Sequence, residues 1–414
     1  MYRLKHVEIT GLWGARTAEF DLNGDVNFLI GANGSGKTTV VNILASALAA
    51  NRIRLQGLPF DRTIIVLSDE SGEGEATVNI QRQSEESGTT IRYAVTEPGR
   101  PEHVHLLVPR VRTLRSLATV GEKRETALQH IRRLVTMRWL SVHRAPVQHE
   151  DGERQSYEST VDIKLAQVRE ELVKYASALS NEMTKRLWQF IDTVFLSLID
   201  QPSFVSVSGA VEDLNVDEER QTMGEMFETL WLAREQYEAQ MNGFMQMLER
   251  AILKQKEGNQ LLDDEVGAMF AMSRLRMLEK KWRLMKEDQK QIERPFDDFR
   301  SVVNRLFKRK AVELNQRNEL IAKLSSGEPF DLKDLSSGEK QLIIILAEAL
   351  LQHGSASIYL ADEPELSLHV AWQEQLVSSI RELNNNAQLV FATHSPDIVS
   401  AYGDRVIDME AVLQ

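Results

Sequence analysis

Residues 31–38 read Gly-Ala-Asn-Gly-Ser-Gly-Lys-Thr and match the pattern G-x-x-x-x-G-K-[ST]. An apolar run that ends at Ile30 precedes them, and a run that favours helix, residues 42–50, follows. Glycines let the backbone turn so that its amides point at phosphate oxygens, and a following helix adds the positive end of its dipole. The pattern predicts a strand, a phosphate loop and a helix, and therefore an α/β fold.

The same residues predict a nucleotide site. Lys37 would pair with the β- and γ-phosphates of ATP, and the Thr38 hydroxyl would ligate Mg²⁺. The alternative is a flexible glycine turn, which the preceding strand and the following helix make the less favoured interpretation. The residues expected to bind ATP are Asn33, Gly34, Ser35, Gly36, Lys37, Thr38 and Thr39.

Composition excludes several classes of protein. The chain has 414 residues and no cysteine, which rules out disulfides, thiolate metal sites and a cysteine nucleophile and suits the cytoplasm. No apolar run is long enough for a membrane span, so we expect no membrane partner. A net charge of −12 argues against wholesale coating of nucleic acid, although local basic patches remain possible partners for it.

The hydrophobic pattern changes twice along the chain. We expect an N-terminal lobe with the phosphate loop and β-hairpins over residues 1–156, a mainly helical insertion over 157–310, and a C-terminal lobe over 311–414. Strands are expected in the first lobe at 63–67, 76–80, 90–95 and 139–142, and a final strand near 405–409. The helical pattern breaks near 201–202 and 211–219, which predicts several helices, and it lacks the sustained heptads of a long coiled coil. The expected fold is a mixed sheet with an antiparallel β lobe, interrupted by this insertion.

The C-terminal lobe contains an acidic pair after an apolar strand. Asp362 and Glu363 follow the run 358–361; Asp362 would bind Mg²⁺, directly or through water, and Glu363 would polarise an attacking water. Glu365 is either part of this chemistry or structural. His394 ends a second apolar run, 388–392.

A Ser/Gly turn precedes an apolar helix at residues 335–341, Leu-Ser-Ser-Gly-Glu-Lys-Gln. The turn is either a plain helix N-cap or a phosphate-binding helix end. Residues 324–328 repeat Leu-Ser-Ser-Gly-Glu, but no amphipathic helix follows, so we predict a hairpin turn there.

These motifs, in this order, resemble the ABC/SMC-like ATPases over both lobes. The resemblance implies an ABC-type ATPase head in which the signature residues Ser336, Ser337 and Gly338 contact the ATP of a second subunit. Ser337 and Glu339 depart from the family's L-S-G-G-Q. His394 resembles the switch histidine, so the implied catalytic residues are Lys37, Glu363 and His394.

Further roles are implied by the same resemblance. Residues 366–369 resemble the D-loop, which crosses to the partner's site. Gln148 is the candidate Q-loop residue and would join Thr38 and Asp362 at the metal, or it is an ordinary polar residue of an exposed loop. His143 and Arg144 compete with it for a phosphate-binding or coupling role. Trp13 and Arg16 are candidates for contact with the nucleotide. One phosphate loop and one signature per chain imply a homodimer or a higher homo-oligomer.

The block 362–373 and the Thr-His-Ser-Pro switch also resemble stand-alone bacterial ATPases of the OLD-like group, which serve anti-phage systems such as PARIS, Septu and some retrons. This implies a separate effector protein, a nuclease or toxin, and a nucleic acid or a phage protein as trigger. Too few residues follow His394 for a nuclease domain, so another chain is expected to supply it. The alternatives are a RecF/SMC-like DNA-repair or chromosome-maintenance ATPase acting as an ATP-gated DNA clamp, and a scaffold with slow turnover.

Basic clusters leave nucleic-acid binding open. They would form a groove for nucleic acid or, alternatively, solvated helix faces paired with nearby acids. The clusters comprise Arg110, Arg112, Arg115, Lys280, Lys281, Arg283, Lys286, Arg305, Lys308, Arg309 and Lys310.

Overall fold

The computed structural model describes residues 1–69, 72, 74–85, 88–107, 127–139, 159–199 and 215–414. The chain forms two compact units, one of Met1–Tyr175 with Pro295–Gln414 and one of Ala176–Arg294. Both boundaries between the units fall inside helices, Thr160–Ser197 and Asp263–Leu306. The expected division at 156/157 and 310/311 stays a prediction.

An antiparallel sheet of six strands occupies the N-terminal part of the first unit, in the order β2-β1-β4-β5-β6-β7. Its alternating burial, with Thr63, Ile65 and Leu67 inside on β4, is typical of a sheet covered on one face. The predicted hairpin strands at 63–67, 76–80 and 90–95 are confirmed. The strands are β1 Arg3–Leu12, β2 Arg16–Asp21, β4 Arg62–Ser68, β5 Glu75–Glu85, β6 Gly88–Thr96 and β7 His103–Leu107.

A parallel sheet of five strands holds the phosphate loop, in the order β14-β3-β13-β12-β8. Its strands are β3 Val26–Ile30, β8 Met137–Trp139, β12 Ser357–Asp362, β13 Ala387–Ala392 and β14 Val406–Asp408. All six residues of β13 are buried, because helices cover parallel sheets on both faces. The carboxyl ends of β3, β12 and β13 therefore meet at one edge.

Two predicted strand limits differ from the structure. The strand expected at 139–142 is Met137–Trp139 in its described part, and residues 140–142 lie outside the described residues. The last strand, expected near 405–409, ends at Asp408 because the Asp408 side chain caps a short helix, Met409–Val412.

A small three-stranded sheet follows the helix Asp263–Leu306 in the sequence. It contains β9 Lys310–Leu314, β10 Leu320–Leu324 and β11 Pro329–Phe330. The Leu-Ser-Ser-Gly-Glu sequence at 324–328 forms the turn between β10 and β11, where the Gly327 amide donates to the Leu324 carbonyl at 2.8 Å. The predicted hairpin turn is confirmed.

Helices complete the first unit. Lys37–Leu48 and Ser337–Leu350 are almost entirely buried along their apolar faces. The others are Arg52–Gly57, residues 127–134, Val370–Leu383, Pro396–Val399 and Met409–Val412, with 3₁₀ turns at Leu332–Asp334 and Gly403–Arg405.

The second unit is helical, as predicted. It contains Val216–Thr229, Arg234–Lys256, the C-terminal part of Thr160–Ser197 from Ala176 onward, and the N-terminal part of Asp263–Leu306 up to Arg294. Its core is rich in methionine: Met223, Met245, Leu248, Ala251, Met269 and Met272 pack together. The helix at Val216 begins inside the break expected at 211–219, because Asn215 caps it through the Glu218 amide.

The described part of the chain contains no helix long and apolar enough to span a membrane. Several of the basic residues considered for a nucleic-acid groove are ion-paired within the chain, and nucleic-acid binding stays a prediction. Arg283 pairs with Glu279, Arg305 with Glu382 and Lys310 with Glu339. Arg110, Arg112 and Arg115 lie outside the described residues.

Candidate functional site

The phosphate loop connects β3 to the helix Lys37–Leu48. Gly36 caps this helix with a φ of 92°, in the left-handed region that favours glycine. A side chain there would also collide with Trp13, whose Cη2 lies 2.6 Å from the position of a Cβ. Asn33 and Gly34 are exposed, Ser35 and Gly36 are buried, and Thr39 is half-buried behind them.

Lys37 lies inside the loop. Its Nζ donates to the carbonyl oxygens of Gly31 at 2.8 Å and Ala32 at 3.0 Å, and its side chain is almost fully buried. Burial lowers the pKa of Lys37, although the nearby carboxylates of Glu363 and Asp362 oppose that shift. The ammonium group is thus held beside the acids that end β12, where an anionic phosphate would be stabilised.

Thr38 and Asp362 meet across the sheet edge. The Thr38 hydroxyl donates to Asp362 Oδ1 at 2.9 Å, although 324 positions of sequence separate them. A hydroxyl beside a carboxylate fits Mg²⁺, which prefers oxygen ligands and is usually bound through one or two carboxylates with phosphates and water. Within the described ranges, no group of three or more His, Asp or Glu side chains is placed to hold a metal alone. Gln148, the third predicted ligand, lies outside the described residues, as do His143 and Arg144.

Glu363 and His394 line one cleft with Asn33. The cleft has a volume of about 600 Å³. Glu363 has a φ of 51°, and its amide donates to the Ala392 carbonyl at 2.8 Å, so the chain turns sharply as it leaves β12. Non-glycine residues in this conformation are strained and cluster at functional sites. The structure therefore brings together the predicted loop residue, acid and histidine.

The residues that line this cleft do not include the signature residues Ser336, Ser337 and Gly338. Ser336 caps the helix Ser337–Leu350 in a capping box, in which its Oγ accepts from the Glu339 amide and the Glu339 carboxylate accepts from the Ser336 amide at 2.8 Å. Ser336 and Ser337 are exposed. The expected N-cap is confirmed, and contact with a second subunit's phosphate stays a prediction.

Glu339 stands where the family's signature has glutamine, and it makes contacts outside the capping box as well. Its carboxylate also pairs with Lys310 Nζ at 3.0 Å. Burial raises the pKa of Glu339, but the hydrogen bonds from Lys310 and Ser336 outweigh it and lower the pKa overall. Gly338 lies so close to the Ser367 carbonyl oxygen that a Cβ would be 2.3 Å away, so the signature turn packs on the D-loop-like segment 366–369.

One contact of the phosphate loop was not predicted. Glu410 Oε1 accepts a hydrogen bond from the Ala32 amide at 3.0 Å, and Met409 beside it is fully buried. The pairing of β14 with β3 explains this placement, because the residues that follow two parallel neighbours share an edge. The expected final strand places Glu410 just after a strand end. The sequence does not show that this strand pairs with β3, and so it does not show that Glu410 reaches the phosphate loop.

Glu410 provides a test in which charge and hydrogen bonding act in opposite directions. Glu410→Gln keeps an acceptor for the Ala32 amide and removes a negative charge near Lys37, so we expect ATP to bind about threefold to tenfold more tightly. Glu410→Ala loses the hydrogen bond as well and is expected to bind more weakly than Glu410→Gln, by a similar factor. Calorimetric titration at low salt measures both, with Glu19→Gln, a substitution at an exposed residue of β2, as control. Equal affinities of the two Glu410 variants would contradict this role.

The fold and these motifs define an ABC/SMC-like P-loop ATPase. The chain belongs to the family described as "AAA domain, putative AbiEii toxin, Type IV TA system", whose model matches residues 122–400. The matched range includes Ser336, Asp362, Glu363 and His394 but not the phosphate loop, which is assigned here from its motif and geometry.

Solved structures of SMC heads are similar to this chain. One is the Smc head domain of Pyrococcus furiosus with an extended coiled coil, bound to the C-terminal domain of ScpA. It is 13% identical, with 97% of this chain and 92% of that chain covered at a TM-score of 0.45. Another, from Pyrococcus yayanosii, is 14% identical with 97% and 93% covered at 0.39. The SMC head of Thermotoga maritima is 12% identical with 96% and 92% covered at 0.35.

Proposed function

We propose that the protein binds ATP with Mg²⁺ and hydrolyses it at a site completed by a second copy of the chain. The observation that supports this most directly is the hydrogen bond between Thr38 and Asp362, which joins the phosphate loop to the acids of β12. A hydroxyl, a lysine and two carboxylates at one sheet edge are the groups that phosphoryl transfer requires.

Each side chain has a distinct task in this proposal. Lys37 leaves its carbonyl partners and pairs with the β- and γ-phosphates. Thr38 and Asp362 would hold Mg²⁺, which would supply positive charge to neutralise the phosphates. Glu363 accepts a proton from the attacking water, and its fixed backbone turn aims the carboxylate into the cleft. His394, exposed at the rim, contacts the γ-phosphate.

The second copy supplies Ser336, Ser337 and Gly338. Ser336 and Ser337 lie exposed at the start of a long buried helix, and such a helix end favours an anion. Two equal chains would exchange these ends symmetrically, giving two identical sites. ATP would then hold the pair together, and hydrolysis would loosen it.

We propose that this cycle gates assembly with a separate effector in an anti-phage system of the cytoplasm. The family description, which names a toxin and a Type IV toxin–antitoxin system, supports an effector that is a toxin or nuclease. The alternative, an ATP-gated DNA clamp, has less support. Arg283, Arg305 and Lys310, which were candidates for binding DNA, are paired with acids of the same chain.

A complementation experiment tests the composite site. Lys37→Ala has an intact signature but a defective phosphate loop, and Ser336→Arg has the reverse. Each is expected to be inactive alone. A 1:1 mixture should recover about a quarter of the wild-type ATPase rate, because half of randomly formed dimers are mixed and each has one complete site.

The repeated Leu-Ser-Ser-Gly-Glu sequence provides the matched control. Ser325→Arg places the same substitution in the exposed β10–β11 turn and should leave hydrolysis near wild type. Melting temperatures establish that Ser336→Arg, which also loses a helix cap, is still folded. If folded Ser336→Arg hydrolyses ATP normally, or the mixture stays inactive, the site is not shared between subunits.

A further inference from the structure

Glu365 is a buried acid that the proposed chemistry does not use. Its exposed fraction is 8%, and it follows Glu363 by two positions. Glu365 Oε1 accepts two hydrogen bonds, from Thr393 Oγ1 at 2.6 Å and from the His394 amide at 3.0 Å. Burying a carboxylate is costly unless donors compensate it, and here both donors belong to the loop that carries the histidine.

The hydrogen bonds continue beyond Thr393 and return to the D-loop-like segment. Thr393 Oγ1 accepts from the Ser395 amide at 2.9 Å, and Ser395 Oγ donates to Gln373 Oε1 at 2.7 Å. Gln373 Nε2 donates to the Leu368 carbonyl at 2.9 Å. The residues on both sides of His394 are therefore tied to the segment that begins at Glu365.

The same segment is tied to the signature helix within the chain. Gln341 Nε2 donates to the Pro364 carbonyl at 2.9 Å in a buried contact. The close approach of Gly338 to Ser367 adds a second contact a few residues further on. Glu365 thus lies between the helix that would contact the partner's ATP and the histidine that would contact the chain's own ATP.

The second carboxylate oxygen of Glu365, Oε2, takes no part in these hydrogen bonds. Oε2 is buried and has no hydrogen-bond partner among the residues that the structure describes, and Glu365 lines the cleft with Glu363 and His394. What the structure uses is Oε1, the oxygen that holds the His394 amide.

We propose that Glu365 is a positioning residue that sets His394 against Glu363 according to the state of the signature helix and the D-loop-like segment. This inference rests on the proposed ATP hydrolysis at the same site. Glu365 fixes the His394 backbone through Oε1, and movement of residues 364–368 moves the histidine with it. Glu365 contacts neither phosphate nor water in this role.

Three single variants separate positioning from direct chemistry. Glu365→Gln keeps the Oε1 acceptor and should retain the wild-type kcat within about threefold, whereas Glu365→Ala releases His394 and should lower kcat about tenfold or more with little change in KM. Thr393→Val removes one of the two donors and should give a smaller loss. If Glu365→Ala fails to fold, Thr393→Val still tests the inference.

A double-mutant cycle with His394→Ala gives the decisive comparison. If Glu365 acts through His394, then Glu365→Ala or Thr393→Val added to His394→Ala should slow hydrolysis no further. Additive losses, or a Glu365→Gln defect as large as that of Glu365→Ala, would overturn the positioning role. Failure of the proposed function is a separate result, because wild type and Lys37→Ala would then hydrolyse ATP equally poorly.

Discussion

Glu363→Gln is expected to slow ATP hydrolysis at least about a hundredfold while ATP still binds, because glutamine keeps the size of the side chain but cannot accept the proton of water. The backbone turn at Glu363 depends on its amide, which donates to Ala392 and is unchanged by the substitution. ATP should then stay intact between the subunits. Single-turnover hydrolysis measures the chemical step, and light scattering with and without ATP measures the dimer that accumulates.

An exposed acid of the next helix provides the control for Glu363. Glu374 is exposed on the helix Val370–Leu383, so Glu374→Gln should leave both the rate and the dimer unchanged. A Glu363→Gln variant that hydrolyses ATP normally would show that another group activates water. A dimer that ignores ATP would show that the nucleotide does not join the two chains.

Lys37→Ala is expected to weaken ATP binding about a hundredfold, because it removes a charge-assisted pair with the phosphates from a buried position. The loop itself also loses two hydrogen bonds, those that Lys37 Nζ donates to Gly31 and Ala32. Isothermal titration with ATP and Mg²⁺ measures the affinity.

The control for Lys37 is an exposed lysine away from the phosphate loop. Lys5 is exposed on β1, and Lys5→Ala should bind ATP as the wild type does. A circular dichroism melt of Lys37→Ala separates loss of binding from loss of fold. Affinity near that of the wild type in a folded Lys37→Ala protein would refute the assignment of the phosphate loop.

The sequence predicts those parts of the site that are local in the chain. The phosphate loop is set by glycine backbone freedom between a strand and a helix, and the Asp362–Glu363 pair is set by the end of a buried strand. Their meeting at one edge follows from parallel strands that align in the same direction. The hydrogen bond between Thr38 and Asp362 is the outcome.

Contacts that depend on strand order could not be predicted in the same way. Glu410 reaches the Ala32 amide only because β14 pairs with β3, and no local pattern states that pairing. The sequence left the role of Glu365 open, as either chemical or structural, because its two donors, Thr393 and His394, come from another loop. Helix limits shifted where a capping side chain decided them, as Asn215 did at Val216.

The position of β3 in its sheet also has a consequence for how the chain folds during synthesis. β3 lies between β13 and β14, strands more than three hundred positions later, so the ribosome must translate nearly all of the 414 residues before the phosphate-loop strand acquires a neighbour. The antiparallel sheet has mainly sequence-local pairs and can form first. During that interval the backbone N–H and C=O groups along both edges of β3 are unpaired beside its apolar side chains, and the nascent chain is exposed to aggregation until the C-terminal strands arrive.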